Sequence, residues 1–214
     1  MTSVDLVVEE VRALLAEGGL RPGQPVRQEL LADRLGLSRQ PVREALQSLA
    51  SDGLLEYRRN AGYAIRELSW SELSQAYRLR ELIETEVLES LPRFGDAEVE
   101  RLREINRRLA AADAAGELRA VSTLNHEFHF RVFAAAGLGL LTAELERVWF
   151  LTQAYRAVYV SDPDTVRRIV AEHDAIVDAL ASGDHAALPG LHARHRAGTL
   201  ECVRARLTFP PADA

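Results

Sequence analysis

The feature that most constrains this chain is a turn of about three residues between two short apolar-striped segments. Residues 28–35 carry Leu30, Leu31 and Leu35 at helical spacing, all expected to face inward. Gly36 closes that segment as a residue that takes positive φ without steric cost. Ser38 opens the next, in which Val42, Ala45, Leu46 and Leu49 recur at i, i+3, i+4 and i+7. Each stripe must be buried, and so short a connection forces the two helices against each other as a helix-turn-helix. The Ser38 hydroxyl is placed to cap the first turn, and Pro41 is tolerated because no intrahelical N–H is lost so early. The other face carries Arg39, Gln40, Arg43 and Gln47, whose long donors and amides suit guanine and adenine edges or phosphates. Alone, the same pattern also describes an ordinary amphipathic surface helix.

The flanks decide more. Residues 5–17 read as a helix ended by Gly18-Gly19, and residues 20–25 as a turn around Pro22-Gly23. After Asp52-Gly53, the runs 54–57 and 63–66 flank an Asn/Gly turn and predict a β-hairpin. A hairpin directly after a helix-turn-helix is a wing, with Arg58, Arg59, Asn60 and Gly62 placed for phosphates or the minor groove. Its plainer reading is an edge sheet over the core. The net charge of −6 argues against nucleic acid until it is divided along the chain. Residues 1–68 hold nine arginines and ten acids, whereas residues 69–214 hold seventeen and twenty-two. The first part is thus near neutral, and DNA binding needs only a basic patch.

No further strand is expected after Ser69. Ser69-Trp70-Ser71-Glu72 has the capping-box pattern and opens a helix to about residue 91, stopped by Pro92. Helices follow at 96–115 (capped by Asp96), 117–136, 140–160, 163–181 (capped by Ser161-Asp162-Pro163) and 184–208. Pro189 kinks the last or delays its start, and Pro210-Pro211 ends it in a loose tail. The expected fold is mainly α: a winged helix-turn-helix with a small β-hairpin wing over residues 1–68, then an antiparallel all-α bundle over 69–214. No apolar run reaches the ~18–20 residues of a membrane span, the start is acidic unlike a signal peptide, and the single Cys202 allows no intrachain disulfide. A cytoplasmic protein with no membrane partner is expected.

The bundle carries a histidine pattern. Asn125 and His129, four apart, share one helix face. His173 lies on the fifth helix of the bundle, and His192 and His195 on the sixth. Bundle centres hold metal sites built from facing helices, and three His nitrogens with an amide or carboxylate oxygen suit Zn, Ni, Fe or Mn. The alternative is histidines that are exposed or hydrogen-bonded in the core, the reading given to His126 and His185, or a metal-free polar pocket. Glu127 and Glu172 each neighbour a ligand candidate but are turned about 100° away on their helices. With no Ser/His/Asp arrangement, Gly-rich phosphate loop or Cys pair, the chain does not read as an enzyme.

The run Leu20-Arg21-Pro22-Gly23, the stretch from Leu31-Ala32-Asp33 through Ser38-Arg39-Gln40-Pro41-Val42-Arg43-Glu44-Ala45-Leu46, and Gly53-Leu54-Leu55 closely resemble the winged helix of GntR-type bacterial transcription regulators. The second half resembles the FCD ligand-binding domain of the FadR branch, on Arg78-Leu79-Arg80-Glu81-Leu82-Ile83-Glu84, Asn125-His126-Glu127-Phe128-His129, Glu172-His173-Asp174-Ala175-Ile176 and His195. Six helices resemble its shorter, VanR-like version. The resemblance implies a metabolite-responsive regulator, more often a repressor, that binds a pseudo-palindromic double-stranded operator as a homodimer. Arg39 and Arg43 would contact bases or phosphates, with Ser38 and Gln40 beside them and Gly62 in the wing tip. Asn125, His129, His173 and His195 would hold a divalent transition metal, Zn, Ni or Mn. His192 competes with His195, and the family spacing favours His195. Asn125 stands where the family more often has Asp; a neutral donor leaves more positive charge on the metal, which predicts weaker retention and stronger attraction for an anionic effector. Arg80 would pair with the carboxylate of a small organic acid, against the alternative of a surface salt bridge to Glu84.

Overall fold

The computed structural model describes residues 2–160 and 162–209. The Ser161 cap and the Pro210-Pro211 stop lie outside the described residues. Helix α1 (Ser3–Ala16) starts before the expected Asp5, because Thr2 and Asp5 form a capping box: Thr2 N–H donates to Asp5 Oδ2 (2.7 Å) and Asp5 N–H to Thr2 Oγ1 (3.1 Å). Helix α2 (Gln28–Leu35) ends at Gly36, φ 64°, where Leu37 N–H donates to Ala32 O (2.9 Å). Helix α3 (Arg39–Ser51) follows. Ser38 is its N-cap by backbone, but its hydroxyl makes no capping bond, contrary to expectation. That helix end is exposed, so its free N–H groups have solvent instead.

Val42, Ala45, Leu46 and Leu49 are buried in one core with Val7, Val11 and Leu15 of α1, which packs on α3. Leu30 is 60% exposed, a correction to the inward stripe. A helix of eight residues buries a narrow strip, and Leu31 and Ala32 occupy it. Strands β1 (Pro25–Val26), β2 (Leu55–Arg58) and β3 (Gly62–Ile65) form an antiparallel sheet in the order β1-β3-β2. The hairpin is as expected, its turn made by Asn60 at φ 67° and Gly62 at φ 81°. Strand β1 was read as turn: two residues carry no periodicity, and Pro25 is tolerated because the strand lies at an edge.

Beyond the linker the described residues hold α4 (Trp70–Glu89), α5 (Asp96–Ala114), α6 (Leu118–Ala134), α7 (Gly139–Leu151), α8 (Gln153–Val160), α9 (Pro163–Ser182) and α10 (Leu188–Arg206). The Ser69/Glu72 capping box forms, with Glu72 N–H donating to Ser69 Oγ (3.2 Å) and Ser69 N–H to Glu72 Oε2 (2.9 Å). Gly95, not Asp96, is the N-cap of α5; Asp96 is its first helical residue, where its charge still meets the helix dipole. The single helix expected at 140–160 is divided at Thr152, giving seven helices rather than six. There the Thr152 hydroxyl bonds the carbonyls of Val148 (3.3 Å) and Trp149 (3.1 Å), competing with the regular backbone ladder. Pro189 delays rather than kinks the last helix: a 3-10 turn at His185–Ala187 precedes α10.

Helix α5 packs on α6 and α9, and α10 packs on α4, α8 and α9. Helix α1 touches α6 and α8, so the winged helix leans directly on the bundle. In the linker, Leu68 is buried and its N–H donates to the Tyr155 hydroxyl of α8 (2.5 Å). No described helix is long and apolar enough to cross a membrane.

Candidate functional site

Two surfaces carry the predicted residues. On α3 the apolar stripe is turned inward, so Ser38, Arg39, Gln40 and Arg43 are exposed on the other side. Arg39 lies 3.8 Å from Glu29, and Gln40 Nε2 donates to Glu44 (2.6 Å). Both contacts are solvent-exposed and weak enough to exchange for a nucleic-acid partner. Arg43 has no ion pair or side-chain hydrogen bond among the described residues. On the wing, Arg59 and Asn60 are exposed, while Arg58 is committed to Glu56 (2.5 Å) and the Gly23 carbonyl (3.3 Å).

The second surface is internal. Helix α6 buries Asn125 and His129 along with Leu124, Phe128 and Val132; α9 buries His173, and α10 buries His192 and His195. His129 Nε2 lies 3.1 Å from His195 Nε2 and 3.2 Å from His173 Nε2. The tautomers follow from the outer partners. Asn106 of α5 donates its amide to Val170 O (3.0 Å) and Asp174 Oδ1 (2.8 Å), which fixes its orientation. Its Oδ1, 3.1 Å from His173 Nδ1, can only accept, so the His173 proton is on Nδ1. Glu172 Oε2, 2.7 Å from His195 Nδ1, assigns that ring the same way. With both rings in this neutral tautomer, two Nε2 lone pairs converge on the Nε2 of His129. One shared proton satisfies them poorly; a cation satisfies all three.

The remaining features fit the same donor set. Asn125 Oδ1 is buried without a hydrogen-bond partner, and so is His129 Nδ1. Burial, reinforced by neighbouring rings, holds the pKa values of His129 and His173 well below the usual range, so both are neutral ligand forms at pH 7. Burial pushes Glu172 up, but hydrogen bonds from His195 and Arg168 more than offset it and keep the carboxylate ionised. Arg168 reaches Glu172 (2.7 Å) across Gly198 of α10, where a Cβ would collide with the guanidinium. His192 stands apart from the three-nitrogen group: its ring centre is 5.6 Å from that of His129, and its Nε2 has no partner. Burial pushes its pKa down to about 3.

Arg80 is buried, not on the surface. It donates from Nε (3.1 Å) and Nη2 (3.0 Å) to Glu84 Oε1, and Glu84 also holds Arg196. Its guanidinium stacks 4.1 Å over Trp149, which Arg156 also covers at 4.4 Å and which lies 5.0 Å from the His129 ring. The salt bridge to Glu84 is therefore formed, but inside a cluster in which two guanidinium groups share one carboxylate. Sequence reasoning missed Asn106, Arg196 and Trp149. Asn106 left a signal, since it interrupts the buried α5 stripe of Val99, Leu102 and Leu109.

Residues 4–65 match the bacterial regulatory proteins of the gntR family, and residues 75–197 match the FCD domain. The chain is 31% identical over 183 residues to the "Probable D-xylose utilization operon transcriptional repressor" of Paenarthrobacter nicotinovorans, covering 84% of this chain and 77% of the relative. It is 25% identical over 189 residues to the HTH-type transcriptional regulator McbR of Escherichia coli (strain K12), covering 85% and 84%. The solved structure of E. coli McbR/YncC has the same fold, with a TM-score of 0.87 at 20% identity over 96% of this chain and 99% of that one.

Proposed function

The chain belongs to the GntR family of bacterial transcription regulators and carries an FCD domain, a DNA-binding regulator and not an enzyme, and from that premise we propose that it is a metabolite-responsive repressor gated by a divalent metal. Residues 1–68 would form the DNA-binding domain and residues 69–214 the effector and dimerisation domain of a cytoplasmic homodimer. Leu79 and Leu82, 41% and 56% exposed on α4, support a covered face there. Ser38, Arg39, Gln40 and Arg43 would read a pseudo-palindromic operator in the major groove, with Arg58, Arg59, Asn60 and Gly62 on the adjacent backbone or minor groove.

The observation that carries the reading is the convergence of three histidine Nε2 atoms, two of them on rings whose Nδ1 is engaged by Asn106 and Glu172. His129, His173 and His195, with Asn125, would hold Zn, Ni or Mn. Bound there, the metal would supply a Lewis-acidic positive charge for a carboxylate. Asn125, unlike an aspartate, leaves that charge undiminished. The arginine cluster favours the same ligand class. Arg80 and Arg196 together hold one more positive charge than Glu84 neutralises, and a small organic acid on Arg80 would leave Glu84 paired one-to-one with Arg196. Contacts from His129 to Trp149, the Thr152 break, α8 and Tyr155 reach the linker at Leu68, a route by which ligand binding would shift the winged helix.

Elemental analysis of purified, metal-loaded protein tests the reading. One metal per chain is expected in the wild type, with loss in His129→Ala and His173→Ala. A metal-free wild type after loading removes the proposal.

A further inference from the structure

A cavity of about 170 Å³ lies where the winged helix meets the bundle. Its walls come from α1 (Glu9, Arg12), α6 (Ser122, His126), and α7 (Glu146, Trp149), so both functional regions of the chain contribute. Of the helices that carry the histidine cluster only α6 lines it, and none of its lining residues is a ligand of that cluster, although Trp149 also touches the His129 ring at 5.0 Å.

Its polar groups are incompletely matched. Arg12 lies 4.5 Å over the Phe150 ring and pairs through Nη1 with Glu9 (3.0 Å), yet its Nε is buried without a hydrogen-bond partner. A buried N–H left unpaired costs free energy that an added acceptor recovers. Glu146 differs: its side chain is 44% exposed, so water solvates the carboxylate and no protein cation among the described residues holds it closely. Among the described residues its carboxylate meets only the His126 ring, 3.7 Å away and beyond hydrogen-bonding distance. The cavity thus offers one unsatisfied guanidinium N–H and, at its solvated edge, a carboxylate free to meet a cation. Ser122 and Thr123 add hydroxyls, and Trp149 and Phe150 add apolar walls. The volume equals that of about five or six liquid waters at about 30 Å³ each.

The geometry points to a binding site for a small zwitterion of amino-acid type, its carboxylate on Arg12 and its ammonium group on Glu146. Such a ligand ties α1 to α6 and α7. It holds the winged helix against the bundle without needing a ligand at the histidines, and so changes operator affinity by fixing the relative position of the two regions.

The test uses the full chain with Trp70→Phe, which leaves Trp149 as the sole tryptophan. Glycine, L-alanine and L-serine are titrated against Trp149 fluorescence, with acetate and methylammonium as single-charge controls. The expected result is a saturable change for at least one zwitterion, with the midpoint raised about tenfold or more in Arg12→Gln and in Glu146→Gln. Thermal melts matching the parent show that both variants fold. In His173→Ala, whose folding the same melts check, the baseline fluorescence shifts because Trp149 touches His129, but the zwitterion midpoint is unchanged. No saturable change with any of the three overturns the proposal. So does equal binding of either control ion, or loss of the response in His173→Ala, which would assign the signal to the histidine cluster.

Discussion

Helix α3 and the histidine cluster solve opposite problems. The polar face of α3 is exposed, lies within one helix, and depends on the burial of the opposite stripe, Val42, Ala45, Leu46 and Leu49. The cluster is buried, spans three helices, and depends on hydrogen bonds its rings donate to two further side chains, Asn106 and Glu172. In the first, side chains are held only by exposed contacts such as Arg39–Glu29 and Gln40–Glu44. In the second, protons and ring orientations are set in advance. The lesson is that one chain can separate a surface that must adapt from a centre that must be preorganised, and that packing on the hidden side serves the first while polar partners serve the second.

The largest expected effect comes from breaking the support of α3. Leu46→Ala should cost about 2–5 kcal/mol, because it empties a fully buried site between α1 and α3. A thermal melt should show the winged helix lost first, with metal content per chain kept; simultaneous loss of both would mean the two regions fold as one unit. Next comes Arg43→Ala, expected to weaken binding to an operator selected from a random-sequence pool by about 1–3 kcal/mol. A gel-shift midpoint equal to the wild type would strike Arg43 from the reading surface.

The cluster is sharpened by Glu172→Ala, which should lower metal affinity about 10–100-fold by freeing the His195 ring. Glu172→Gln should recover most of that, since an amide oxygen still accepts from His195 Nδ1. Equal losses in the two variants, measured by competition with a chelating dye, would show that charge and not orientation matters.

The smallest effect is on pH dependence. His129, His173 and His192 have folded pKa values below the unfolded value of about 6.5. Below that value the unfolded chain binds more protons, so their contribution to stability is complete above pH ~6.5 and is lost as pH falls, for His192 down to about 3. Metal-free protein should therefore melt at lower temperature at pH 5 than at pH 7, and His192→Phe should flatten that slope. An unchanged slope would mean His192 does not contribute.

Much was legible in the residues themselves. The stripe on α3, positive φ at Gly36, the Asn60/Gly62 turn and the Ser69/Glu72 capping box are local properties, fixed by periodicity and by which residues tolerate left-handed backbone. So was the presence of histidines on three bundle helices. What was not legible depended on how helices far apart in sequence are rotated and crossed. His195 joins His129 across 66 positions while His192, one turn earlier, faces the arginine cluster instead. Glu172 neighbours His173 in sequence yet serves His195 on another helix, because adjacent residues on a helix point about 100° apart. The two-residue β1 exists only because β3 lies beside it, and α7 breaks from α8 where one hydroxyl competes for backbone carbonyls. Sequence determined which residues each helix presents, since that follows from local geometry. Only the tertiary structure decided which of them meet, because atoms a few ångströms apart are brought together by packing and by no rule of spacing along the chain.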